Sequence, residues 1–291
     1  RVGALLVLLG LAPLARIAPI LAPPVSLAGQ QGPPRARNPA DTLPTLGLEQ
    51  GTLTLEAPAF TLELVRASQT VAGLKPKGGA GFDFTPSDWL GRRVANGFFH
   101  LGDLTLRLRR SSTGPWQSYS TAAARRPVQA LAVSPPVLAG ADLGPTLPAA
   151  LPLRVRRYWE VRDGELALRF ELHNPGDEAV EIGGLGIPLV FNNILQDRSL
   201  DEAHAVSSFS DPYIGGDAGY LQVIRLDGHG PSLVVTPLGH TPFEAYNPLL
   251  SDPTRRGVTF EGLHEWTVHT RAHAEEEWAG AEPWNAPTSA A

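Results

Sequence analysis

From Gly81 to Trp89 the chain places two carboxylates, Asp83 and Asp88, beside the indole of Trp89; Arg92-Arg93 follows, then Phe98-Phe99-His100-Leu101-Gly102-Asp103. Saccharides present apolar CH faces and rings of hydroxyls, so a site for them needs a flat aromatic and several polar partners able to bond twice. This segment has that composition. A competing, structural reading makes Asp88 the N-cap of a short helix and Trp89 the anchor beneath it.

Three further segments share the character. Asn192-Asn193 ends a strand-like run on two amides. The segment from Asp211 to Tyr220 holds Asp211, Tyr213 and Asp217 among turn-forming Pro and Gly, which equally describes a long connection into a strand at Tyr220. Its acids lack the spacing of a calcium loop. Between Thr241 and Pro248, Glu244 could act as a base or bond a sugar hydroxyl, Tyr246 could stack on a ring and Asn247 adds an amide; a purely structural loop is the alternative. The candidate substrate-binding residues are thus Asp83, Asp88, Trp89, Asn192, Asn193, Asp211, Tyr213, Glu244, Tyr246 and Asn247, and none is assigned to catalysis.

Other chemistries find little support. His269 and His273 stand four apart, but Thr270-Arg271-Ala272 lacks the glutamate of a zinc helix motif, and no metal is expected. No serine elbow, Walker loop or dinucleotide fingerprint occurs, so no cofactor is expected either. A net charge of -5, from 24 basic and 29 acidic residues, provides no cationic surface for nucleic acid. The absence of cysteine removes disulfides and thiolate ligands together.

The elements that must position these residues read as short strands. Leu166, Leu168, Phe170 and Leu172 alternate with Ala167, Arg169, Glu171 and His173, the period of a strand with one buried face, and Asp163-Gly164 before them signals a hairpin. Similar runs cover Thr52 to Glu56, Phe60 to Val65, Leu104 to Arg109, Arg154 to Val161, Ala179 to Ile182, Tyr220 to Leu226, Ser232 to Thr236, Gly257 to Phe260 and Glu265 to Thr270. Gly183, Gly184 and Gly186 are expected to bring the backbone close to a neighbour. With 28 prolines and 30 glycines, a helical period has no room to run, except for a turn or two between His273 and Gly280 near the C-terminus. The expected class is all-β, a large antiparallel β-sandwich.

The chain contains no methionine, even at position 1, and its numbering is expected to begin inside a longer reading frame. Residues 1–28 read as a clipped signal peptide or apolar leader, too proline-broken for a spanning helix of ~20 apolar residues. Stable membrane insertion is not expected, and the protein is expected to be secreted. Residues 29–45 read as a linker, 46–272 as the sandwich, and 273–291 as the start of a passage to another domain.

In order, Ala67 to Leu74, Gly81 to Pro86, Gly183 to Pro188, Asp211 to Gly215 and Pro242 to Pro248 resemble a family of secreted fungal and bacterial proteins classed as six-hairpin-glycosidase-like. That resemblance, over roughly Leu46 to Ser289, implies an N-terminal galactose-mutarotase-like supersandwich followed by an (α/α)6 helical toroid carrying most catalytic carboxylates. It implies carbohydrate as ligand and the toroid of the same polypeptide as partner. It also implies that this stretch alone is inactive, with Trp278 and Trp284 covered by the toroid.

The expected function is therefore the non-catalytic β-sandwich of a glycoside hydrolase acting on a polysaccharide or oligosaccharide. Hydrolysis would need two carboxyl groups ~5 to 10 Å apart, drawn from Asp83, Asp88 and Glu244. Two rivals stand beside it: a free-standing carbohydrate-binding module, and an aldose epimerase with Glu244 as base and His100 or His204 as acid.

Overall fold

Sixteen strands, three short α-helices and three 3-10 turns are found in the described part of the computed structural model, which covers residues 2–12, 47–78, 80–96, 99–110, 113–124, 126–213, 219–238, 245–248 and 264–269. The strands are β1 (Val2–Ala12), β2 (Thr52–Glu56), β3 (Phe60–Val65), β4 (Val71–Pro76), β5 (Thr105–Arg109), β6 (Gln117–Ser120), β7 (Gln129–Ala130) and β8 (Val137–Asp142). They continue as β9 (Arg154–Arg162), β10 (Glu165–His173), β11 (Glu181–Leu189), β12 (Ser208–Tyr213), β13 (Tyr220–Arg225), β14 (Ser232–Pro237), β15 (Ala245–Pro248) and β16 (His264–His269). The helices are α1 (Leu90–Asn96), α2 (Thr121–Ala124) and α3 (Leu200–Val206).

All pairings are antiparallel, and the class is all-β and sandwich-like. An eight-stranded sheet has the order β12-β13-β14-β1-β10-β9-β8-β7; facing it are a five-stranded sheet, β15-β16-β11-β5-β6, and a three-stranded one, β2-β3-β4. One core joins them: Phe60 and Leu62 of β3, Leu106 of β5, Ile187 of β11, Trp159 of β9, Phe170 of β10, Val223 of β13 and Val235 of β14.

Local chemistry explains several elements. Asp163 and Gly164 both adopt positive φ, 52° and 86°, which a two-residue hairpin of right-handed twist demands, and β9 turns directly into β10 there. Along β10 the inward Leu166, Leu168, Phe170 and Leu172 are all buried, as their alternation predicts. The outward-placed Ala167 is buried too. Ser199 opens α3 with a capping box: its hydroxyl accepts from the Glu202 N–H, and the Glu202 carboxylate accepts from the Ser199 N–H.

The expected closeness at the glycines has a named cause. A methyl group on Gly183 would overlap the indole of Trp116, and one on Gly184 would crowd the stem of Arg107. β11 consequently runs through the glycines to Leu189, well beyond the expected Ile182. No strand is expected from the sequence at Val2–Ala12, Val71–Pro76, Gln117–Ser120, Gln129–Ala130 or Val137–Asp142, and Asp211–Tyr213 and Ala245–Pro248 fall within expected loops. In β4 nearly every residue is buried, so no alternation advertises it. The predicted strand Gly257 to Phe260, the helical turn at His273 to Gly280, and Trp278 and Trp284 lie outside the described residues.

Candidate functional sites

Two polar surfaces emerge from the predicted residues. The first joins segments about a hundred positions apart. Ser87–Trp89 forms a single 3-10 turn leading into α1, while Asn192 and Arg198 sit in the connection between β11 and α3. Asp88 Oδ2 lies 2.7 Å from Arg198 Nη1, and Asp88 Oδ1 accepts from Asn192 Nδ2 at 3.5 Å. Arg198 Nη2 donates to Asn192 Oδ1 at 3.4 Å and its Nε to the Ile194 carbonyl at 2.9 Å.

Asn192 is the hub of this surface. It is buried; its N–H donates to the Phe84 carbonyl, its own carbonyl accepts from Ser208, and its Nδ2 also donates to the Val206 carbonyl. The helix-cap reading of Asp88 does not hold, because no side chain caps this turn and the carboxylate faces Arg198 instead. Trp89 is half-buried rather than a core anchor. The Arg92 guanidinium lies 4.2 Å from its ring centroid and that of Arg198 5.8 Å. Arg92 in turn pairs with Asp197 at 2.9 Å.

The second surface is the outward face of β12 and β13. Tyr213 and Tyr220 are direct cross-strand partners, and their rings stack 4.3 Å apart at 17°. The Tyr213 hydroxyl donates to Asp211 Oδ2 at 3.0 Å, and Asp211 itself pairs with Gln222. Strand alternation puts Phe209, Asp211 and Tyr213 together with Tyr220, Gln222 and Ile224 on one side. The opposite side carries the core residues Leu221 and Val223. Tyr213 is 44% exposed and Phe209 58%. The hydrogen bond to Asp211, reinforced by its negative charge, raises the Tyr213 phenol above its ordinary range.

The remaining candidates are placed elsewhere. Asp83 is occupied with its own turn: Oδ1 accepts from the N–H groups of Leu74 and Thr85, both at 2.9 Å, and from the Thr85 hydroxyl at 2.8 Å. Asn193 is half-buried beside the hub. Tyr246 and Asn247 lie on β15 opposite Trp266 and Glu265, and Glu244 lies outside the described residues. Of the two histidines in the epimerase reading, His204 is exposed on α3. His100 is buried and lines, with Val71, Thr85, Pro86 and Arg93, a cavity of about 10 Å³, large enough for one water but not a sugar ring.

Arg198, Asp197, Tyr220 and Gln222 are not among the candidates that the sequence offers, and Arg92 enters there only as a neighbour of Trp89. Tyr220 and Gln222 carried the ordinary alternation of a strand, and nothing local marks which residue they face.

Among the described residues no group of three or more His, Cys, Asp and Glu is placed to hold a metal ion. Among the same residues no helix is long and apolar enough to cross a membrane. Residues 63–291 match the model of a family of unknown function, DUF5695. No curated protein matches the chain significantly. A solved polysaccharide lyase is similar at 16% identity and a TM-score of 0.45, over 63% of this chain and 25% of its own. The chain thus spans about a quarter of that protein's length.

Proposed function

The chain belongs to the DUF5695 family of unknown function, and from that premise we propose that it is the β-sandwich region of a secreted carbohydrate-active enzyme. Its task is to hold a polysaccharide or oligosaccharide while another domain of the same polypeptide performs the chemistry. The finer reading is a glycoside hydrolase of the six-hairpin-glycosidase-like kind, whose (α/α)6 toroid supplies the acid and base.

The observation that carries this reading is the Tyr213–Tyr220 stack with Asp211 and Gln222 on the same outward face. The exposed Tyr213 ring, backed by the half-buried Tyr220, supplies the flat apolar surface that a pyranose CH face needs. The neighbouring carboxylate and amide supply hydroxyl partners that accept and donate. Trp89 is less suited to stacking a sugar, because the Arg92 guanidinium already lies over its ring. The Asp88–Asn192–Arg198 knot instead ties the connection after β11 to the turn that carries Trp89.

The test is a glycan screen for binding and reducing-sugar release, using the 291-residue chain and the gene extended beyond Ala291. Binding by the chain, weakened about tenfold in Y213A/Y220A with the fold intact by circular dichroism, and release only by the extended protein, is the expected result. Glycan release by the 291-residue chain itself, or no binding by either protein, overturns the reading.

A further inference from the structure

β1 is the only strand bonded to both β10 and β14 among the described residues, and it is what makes one sheet of the eight strands. Val2 to Leu9 pair with His173 to Leu166, and Val7 to Ala12 pair with Pro237 to Ser232. At Val7, Leu8 and Leu9 both neighbours are engaged at once. Without β1 the sheet divides into β12–β14 and β7–β10, leaving two facing rows of unpaired backbone groups one strand-width apart.

Both flanking strands bury one face in the core. Leu166, Leu168 and Phe170 of β10 and Leu233 and Val235 of β14 have at most 1% exposure, and their core would open to water along the gap. Ala167, on the outward face, has none. On the outward side Ala167 is buried while Arg169, Glu171, Val234 and Thr236 are half-buried, so a strand in such a place meets the core on its inner face and demands no charge on its outer one, which a continuous apolar run satisfies. Val-Gly-Ala-Leu-Leu-Val-Leu-Leu-Gly-Leu-Ala, residues 2–12, is such a run and carries no charge.

We propose that the gap between β10 and β14 is a strand-acceptor slot and that its occupant is Val2–Ala12 of this chain, retained in the folded protein. The composition that reads as a leader is equally that of a strand at the centre of a sheet. The proposal is independent of what the surface binds, since it concerns assembly of the sheet, but it replaces the cleaved leader on which the expectation of secretion rests.

The lack of native cysteine makes the test clean. Leu8 and Ala167 are direct antiparallel partners, so L8C/A167C places two thiols at a separation that a disulfide can span. The double variant of the full chain should close a disulfide under mild oxidation, and mass spectrometry should find the first 12 residues still attached. The full-chain variant L8P, which removes a ladder donor from a central strand, should lower amide protection in 166–173 and 232–237 by about tenfold or more. Two free thiols in the folded chain, loss of the N-terminal segment from the mature protein, or unchanged protection in L8P would each overturn the proposal.

Discussion

Arg198 Nη1 sits 2.7 Å from Asp88 Oδ2, and through that contact the connection after β11 is fastened to the turn that opens α1. The Arg198 side chain is 7% exposed while that of Asp88 is 45% exposed, so the arginine has more to lose when the pair breaks. Removing the guanidinium in R198A leaves the Asn192 amide and the Ile194 carbonyl each short of a donor. The expected loss is about 1–3 kcal/mol of stability, measured by urea denaturation. D88N, which keeps a partial acceptor at the solvent edge, should lose less than R198A; equal losses would contradict this account.

Gly183 gives a second handle. The Trp116 indole lies where a Cβ would stand, and Arg109 covers that indole at 4.0 Å while also bonding Glu181 at 2.6 Å. G183A should cost about 1–3 kcal/mol, because a methyl must displace the ring or the strand. The cost should largely vanish in a W116A background, where the space is vacant, and a double-mutant cycle measures that coupling. Additive losses would show that the glycine is needed for another reason.

Tyr213 reports on the β12–β13 face directly. Its phenol is raised above the ordinary range, first by the hydrogen bond to Asp211 and then by the charge of that carboxylate. For a group raised in this way, the associated stabilisation is present below the ordinary phenol value and is lost as pH rises through the higher folded one. Ultraviolet titration should therefore show Tyr213 ionising above the ordinary phenol range in the wild type. In D211N it should ionise earlier, with the fold intact by circular dichroism.

Glu202 behaves in the opposite sense. The Ser199 N–H, then the Ser199 hydroxyl, and the positive charge of Arg198 hold its carboxyl below the usual range. Its stabilising effect on the start of α3 is present above the ordinary carboxyl value and is lost as pH falls through the depressed folded one. The protection factors of amides within α3, with intrinsic exchange rates divided out, should fall on acidification, and E202Q should remove most of that pH dependence. An unaltered profile in E202Q would mean that the capping box does not control this helix.

The all-β class and several strand boundaries were legible in the sequence, because alternation along a strand is a local property written into consecutive residues. β2, β3 and β10 match their predicted spans, and the hairpin at Asp163-Gly164 follows from two residues that tolerate positive φ. β4 and β1 gave no alternation to read: β4 is buried on both faces, and β1 is an unbroken apolar run. The polar segments were likewise visible as composition, but their partnerships were not. Asp88 meets Asn192 across 104 positions and Arg92 meets Asp197 across 105. Tyr213 meets Tyr220 only because β12 continues as a strand to the point where the two are opposite. Strand period and turn propensity act over a few residues, so the sequence by itself determines the kind of element and which side chains share a face. Which elements become neighbours is decided by the register of whole sheets and the packing of one shared core, and those exist only in the tertiary structure.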